Sequence, residues 1–262
     1  MSFNYQLTPF FNYAENIHSQ NGEDGILLEL LKRVQGPSRY MQPGLCVEFG
    51  AWDGIKFSNT FRLIEEFGWR GYYIEGDDER FQALLNTAVQ FQEIIPVKAM
   101  VDPNPDSDFT LDRILKSHSC PDEIDILSID VDSCDLDIWE TLKEYRPKIV
   151  VIEINSSLWP GIIIRQAANI RGNSFSATIN VAKEKRYTLV CHTGNLIFVA
   201  NEFLDRCEMP ARFVTYPELL FNSTWLPPVE PDPTRWNEFK RDTSRFLLRI
   251  FFKMKKEFSR LR

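Results

Sequence analysis

The chain has 262 residues, 44% of them hydrophobic, enough for one substantial core but tight for two full domains. Its five cysteines, at 46, 120, 134, 191 and 207, are odd in number and never form a Cys-x-x-Cys pair, so neither a disulfide framework nor a zinc knuckle is indicated and a reduced, cytoplasmic setting is expected. The net charge of −7 hides an asymmetry: Arg235–Arg262 carries ten Lys/Arg against three Asp/Glu, a balance of +7, so the rest of the chain carries −14. An acidic body repels a phosphate backbone, which argues against a nucleic-acid partner. Met1–Tyr13 lacks the basic-then-apolar pattern of a signal peptide, and no window reaches the ~18 uninterrupted apolar residues of a membrane span.

In chain order, Glu23–Val34 reads as an amphipathic helix with Ile26, Leu27, Leu30, Leu31 and Val34 on one face. Asn21 is its expected N-cap, and Gly36-Pro37 ends it. Strands and helices then alternate: strand 45–49, helix 58–67, strand 71–74, helix 78–89, a strand within 93–101, helix 111–116, strand 124–129, helix 136–145, strand 148–154. Such alternation implies right-handed crossovers and a mostly parallel sheet covered on both faces. After a helix near 174–185, strands 187–191 and 196–200 flank a turn, His192-Thr193-Gly194-Asn195, and read as an antiparallel hairpin.

The most informative stretch is Glu48-Phe49-Gly50-Ala51-Trp52-Asp53-Gly54, where the first strand meets its helix. Ligands of open α/β sheets bind beyond the carboxyl ends of strands, and glycine there lets the backbone approach them closely. The dinucleotide pattern G-x-G-x-x-G fails from Gly50, because Trp52 and Ile55 stand where glycines are needed. An acid opening the motif suits a cationic ligand such as a sulfonium with its amino-acid tail. The second strand runs into Glu75-Gly76-Asp77, where a carboxylate can accept both hydroxyls of a ribose. The third strand ends in Val101-Asp102, which places Asp102 for an adenine amino group. Asp77 and Asp78 read as charges at a helix N-terminus.

Ser19-Gln20-Asn21-Gly22-Glu23-Asp24-Gly25-Ile26, the Glu48–Gly54 turn, Tyr73–Asp77, Leu127–Asp132 and Arg146–Glu153 together resemble the FkbM-like branch of class I S-adenosylmethionine-dependent methyltransferases. The resemblance spans about Ser19 to Ala200. It implies an α/β, Rossmann-like class I methyltransferase fold, with a mostly parallel seven-stranded sheet closed by the antiparallel hairpin. It implies methyl transfer from S-adenosyl-L-methionine to a hydroxyl of a glycan, glycan precursor or natural product. The cofactor-binding set is then Gln20, Glu48, Gly50, Ala51, Asp53, Gly54, Glu75, Gly76, Asp102 and Asp130. Trp52 and Ser133-Cys134 depart from the family pattern and alter the pocket's shape. Four segments are expected: an N-terminal segment and helix over 1–44, the methyltransferase domain over 45–205, a Pro-containing linker over 206–235 and a basic amphipathic helix over 236–262.

A sugar hydroxyl is a weak nucleophile and needs a base or a metal. Asp130 and Asp132 end the fourth strand and are candidate catalytic acids; Asp135 and Asp137 fit the first turn of the next helix. Asp130, Glu153 and Asn155 could converge on Mg2+, a hard cation with oxygen ligands. His192, in the hairpin turn, is the histidine best placed as a base, or else an ordinary turn residue. The loop 156–173, with Trp159 and Ile162–Ile164, reads as a substrate wall or lid, or as a homodimer contact. The tail alternates Trp236, Phe239, Phe246, Ile250, Phe251 and Phe258 with basic residues, as in a helix lying on the inner face of an anionic membrane, bound to a partner or packed on its own domain. The rival readings are a nicotinamide-linked oxidoreductase and an inactive methyltransferase-like binding module.

Overall fold

A computed structural model describes residues 8–37, 39, 42–131, 133–166 and 172–226. Seven strands form one sheet: β1 Leu45–Phe49, β2 Arg70–Glu75, β3 Ile94–Lys98, β4 Ile126–Ile129, β5 Ile149–Glu153, β6 Tyr187–His192 and β7 Asn195–Ala200. Their order is β3-β2-β1-β4-β5-β7-β6. The first five are parallel, and β7 enters antiparallel to both β5 and β6. This is the expected α/β arrangement, a mostly parallel seven-stranded sheet closed by an antiparallel hairpin. All residues of β1 and β4 are buried, as central strands covered on both faces must be.

The helices are α1 Glu23–Gln35, α2 Phe61–Phe67, α3 Asp78–Gln90, α4 Leu111–Ser117, α5 Asp135–Thr141, α6 Phe175–Glu184 and α7 Ala211–Thr215. Strand side chains alternate between faces. Cys46, Ile126, Ile149, Val151, Ile197 and Val199 face a core built with Ile26, Leu27, Leu30, Leu31 and Val34 of α1, Phe61, Leu63 and Ile64 of α2, and Leu84 of α3. On the other face, Trp139 of α5 packs on Phe198 and Tyr187, with ring centroids 5.2 and 5.5 Å away.

Several boundaries differ from the sequence reading for local reasons. The N-cap of α1 is Gly22 at φ +97°, not Asn21, and the Asn21 N–H is held by the Glu23 carboxylate at 2.8 Å. The α2 helix starts at Phe61 because the Ser58 hydroxyl accepts from the N–H groups of Thr60 and Phe61, turning the chain before the helix begins. The hairpin turn is only Thr193-Gly194, since His192 and Asn195 complete their strands. The stretch expected as a linker from 206 is packed over its first half. Cys207, Phe213, Tyr216, Leu220 and Phe221 are buried, and one compact unit runs as far as Ser223. The basic helix expected over 236–262 lies outside the described residues, as does Asp132.

Candidate cofactor site at the carboxyl edge of the sheet

The glycine turn is wedged between two strand ends. The Gly50 and Ala51 N–H groups both donate to the Ile74 carbonyl of β2, at 3.1 and 3.2 Å, and Asp130 N–H donates to the Phe49 carbonyl at 3.2 Å. Gly50 has φ +77°, and a Cβ there would lie 1.6 Å from the Asp130 carbonyl oxygen. The backbone directly after β4 therefore forbids a side chain at Gly50, a constraint that acts whether or not a ligand approaches the turn. Asp53 Oδ1 accepts from the N–H groups of Ile55 and Lys56 at 2.9 and 2.8 Å, and Thr87 of α3 donates to the Asp53 carbonyl at 2.7 Å. Gly54, at φ +82°, lies against Leu84 of α3. Asp53 and Gly54 therefore shape the turn. Trp52, itself at φ +50°, has Lys56 Nζ 4.8 Å and the Arg80 guanidinium 4.7 Å from its ring centre.

Glu75 ends β2 with its side chain 5% exposed. Its Oε2 accepts from Trp52 N–H at 2.9 Å and its Oε1 from Asp77 N–H at 2.7 Å. A carboxylate oxygen has two acceptor positions, so each retains one for a ligand hydroxyl. Asp77 caps α3, accepting from Arg80 N–H, and this holds its carboxyl below the usual range. Gly76 lies against Met100, whose Cε would be 2.9 Å from a Cβ. Strand β3 stops at Lys98, where its pairing with Glu75 ends. Asp102 therefore stands in the following loop rather than at the strand end, closed by Asp102 N–H to the Phe109 carbonyl at 2.9 Å; its Oδ1 takes Asn104 N–H.

Glu48 lies below the turn, aligned in register with Tyr73 of β2 and Ser128 of β4. Its Oε2 accepts from the hydroxyls of Thr60 at 2.6 Å and Ser58 at 3.0 Å, and Thr60 Oγ1 meets Tyr73 OH at 2.8 Å. Asn59 donates to Ser128 Oγ at 3.0 Å. Burial pushes the Glu48 carboxyl up to about 7, against the pull of the Thr60 and Ser58 hydroxyls, with the nearby Asp130 charge pushing it further. The sequence reading missed this network. Its signal was the polar run Ser58-Asn59-Thr60 directly before an apolar helix.

Asp130, half-buried at the end of β4, shares this edge with Glu75 and Glu48. Asp135 organises the loop beyond it, accepting from Val131 N–H at 2.7 Å and Ser133 N–H at 3.0 Å. Asp137 pairs with Arg165 at 2.6 Å. Glu153 is aligned with Asn195 of β7, and Asn155 Oδ1 accepts from Ser157 N–H at 3.1 Å. Among the described residues no three His, Cys, Asp or Glu side chains form a group that could hold a metal ion. The expected Mg2+ set of Asp130, Glu153 and Asn155 has only two such side chains, and Mg2+ is not supported.

Gln20 is exposed on a strap before α1, its carbonyl accepting from Asn16 Nδ2. The strap is anchored by Asp24, whose Oδ2 takes the N–H groups of Ile17, His18 and Ser19 at 2.8 Å each. Glu23 ties the start of α1 to the hairpin through Thr193 Oγ1 at 2.6 Å and Asn195 Nδ2 at 3.3 Å.

His192 has a structural position. Asn222 N–H donates to its Nδ1 at 2.7 Å, so Nε2 carries the proton and donates to Ser156 Oγ at 2.9 Å. Ser156 passes the bond on to the Gly194 carbonyl at 2.8 Å. Phe221 stacks on the ring at 4.9 Å, and burial lowers its proton affinity to about 3. The Nδ1 lone pair needed for base catalysis is occupied, which argues against the catalytic role expected from sequence.

No family model matches the chain, and no curated protein matches it. Among solved structures it is similar to TrmK of M. capricolum in complex with S-adenosyl-homocysteine, at 11% identity and TM-score 0.45 over 85% of this chain and 96% of that one. It is also similar to a SAM-dependent methyltransferase from Aquifex aeolicus, at 14% identity and TM-score 0.36 over 65% and 95%. A third likeness is to the N-terminal domain of EvdMO1 with SAH bound, at 9% identity and TM-score 0.41 over 69% and 80%. Likenesses this distant say nothing of what the chain acts on.

Proposed function

We propose that the chain is an S-adenosylmethionine-dependent O-methyltransferase acting on a hydroxyl of a glycan, glycan precursor or natural product. The observation that carries this reading is Glu75. It is a buried carboxylate at the end of β2, fixed by two backbone N–H groups, with one acceptor position left on each oxygen. That is the chemistry a ribose diol requires. The antiparallel β7 and the Trp52 that interrupts the glycine motif weigh against a nicotinamide cofactor. The choice of acceptor rests on the sequence resemblance alone.

When bound, the cofactor would supply an activated methyl group for in-line displacement, and the protein's task is alignment. Glu75 would hold the ribose, the Gly50–Gly54 turn would pass beneath the amino-acid end, and Asp102 would face the adenine side. With His192 committed to its buried network, Asp130 and Asp132 are the proposed acids for orienting or deprotonating an acceptor hydroxyl. Calorimetry with S-adenosylmethionine and with NAD tests the reading. S-adenosylmethionine should bind, and Glu75→Ala should weaken it by about 1–3 kcal/mol, the range for lost charged hydrogen bonds. Binding of NAD alone would overturn it. Methyl transfer to sugar acceptors would then separate an enzyme from a binding module.

A further inference from the structure

The row Glu48, Tyr73 and Ser128 crosses the three central strands on the face shared with α2, two residues before the glycine turn. The Glu48 carboxylate meets the hydroxyls of Ser58 and Thr60 and the Asn59 backbone N–H, all of them neutral. The titratable groups around it are Cys46 on its own strand, Tyr73 from β2 and Asp130 from the end of β4; the run into α2 adds only Ser58, Asn59 and Thr60. None of these is cationic. A buried carboxylate needs either a positive partner or a proton. Among the described residues no cationic group is a partner of Glu48, and a second acid at the end of β4 makes ionisation harder still. The place where a partner could arrive is the ligand side of the turn directly above.

Resting on the reading of this site as an S-adenosylmethionine pocket, we propose that Glu48 is a charge-responsive acid, which gives up its proton to solvent when the cationic cofactor binds and regains one after the methyl group has left. The balance is simple. On binding, the Glu48 carboxylic acid becomes a carboxylate and one proton enters the buffer. On transfer, the carbon–sulfur bond would break with its electron pair remaining on sulfur, a carbon–oxygen bond would form at the acceptor, and the acceptor hydroxyl's proton would pass to solvent. The site thereby loses one positive charge, and Glu48 takes up one proton in compensation. Cofactor affinity should therefore rise with pH more than product affinity does, so that the product competes best under mildly acidic conditions. The carboxyl's elevated proton affinity, near 7 in the ligand-free protein, places this exchange in the neutral range.

The test is calorimetry of the full chain with S-adenosylmethionine and with S-adenosylhomocysteine, each in phosphate and in Tris. The two buffers differ in ionisation enthalpy, so the difference in heat counts protons. Well below pH 7 the cofactor should release close to one proton and the product markedly less, with both fading well above pH 7. Over the same range the cofactor Kd should tighten by up to about tenfold per pH unit. Glu48→Gln should abolish the buffer dependence. Thr60→Val removes a hydroxyl that favours the ionised form and should shift the pH midpoint upward, which keeps the test open if Glu48→Gln folds poorly. Equal heats in both buffers with cofactor bound, equal proton counts for cofactor and product, or an unshifted midpoint in Thr60→Val would each overturn the proposal. Failure of either compound to bind at any pH would instead remove the methyltransferase reading on which it stands.

Discussion

Gly50 and Glu48 stand two residues apart and are constrained by different neighbours. At Gly50 both the left-handed backbone and the Asp130 carbonyl exclude a Cβ, so Gly50→Ala must displace the β1–β4 junction. We expect a loss of about 2–4 kcal/mol, read as a fall in Tm in the absence of any ligand. A variant with wild-type Tm would show that the turn relaxes freely. At Glu48 the carboxyl binds its proton more tightly in the folded protein, near 7, than at its ordinary value of 4.5. Between those values the folded state holds more protons than the unfolded one, so this group's contribution to stability falls as pH rises through that window. Buried His192 and the paired carboxylates have their own pH dependences, so the informative quantity is the difference between wild type and Glu48→Gln. Relative to wild type, the variant should gain stability from pH 5 to 7 in denaturant titrations. Parallel pH profiles for the two proteins would mean that Glu48 is ionised throughout.

At the scale of elements, the β6–β7 hairpin is joined to distant chain by polar bonds rather than by its turn alone. Glu23 reaches it from α1, and the Asn222 N–H and Phe221 ring close over His192. Replacing His192 by Asn keeps an acceptor near the position of Nδ1. The variant should fold and retain the pH profile of kcat/KM, because the imidazole is already neutral and occupied. Loss of a titrating limb near pH 6–7 in His192→Asn would restore His192 as a base. The stability profile should also change. The folded imidazole resists protonation until about 3, against an ordinary value of 6.5, so wild type loses stability as pH falls through that interval while the variant is spared that contribution.

At the scale of the whole molecule, the opposed charges of body and tail suggest a division of labour. We propose that the residues from 236 to 262 meet anionic headgroups, with each nearby Lys or Arg contributing about 1 kcal/mol and the attraction fading as salt rises. No helix among the described residues is long and apolar enough to cross a membrane, so the contact would be peripheral. Vesicle co-sedimentation of the full chain and of a chain ending at Pro233 checks this. The full chain should bind anionic vesicles at low salt and the shortened one should not. Equal binding by both, or indifference to lipid charge, would reject the contact.

The alternation of apolar strands with amphipathic helices was legible from Leu45 to Ala200, because a doubly covered sheet writes its periodicity into local sequence. The hairpin closure was legible in the same way, as were the acids at 48 and 75. Local pattern could not say which atoms those acids meet. That the Glu48 carboxyl lies buried between Tyr73 and Ser128 depends on β1, β2 and β4 coming into register, which joins residues far apart in the chain. That His192 is occupied depends on Asn222, thirty residues onward, folding back from a stretch whose sequence reads as a linker. The demand for glycine at position 50 was visible, but its cause was not, because the atom that excludes a side chain belongs to another strand. Sequence determines the elements through short-range periodicity. The proton affinity and free lone pairs of a buried group are decided by desolvation and hydrogen-bond partners, which exist only once the chain has packed.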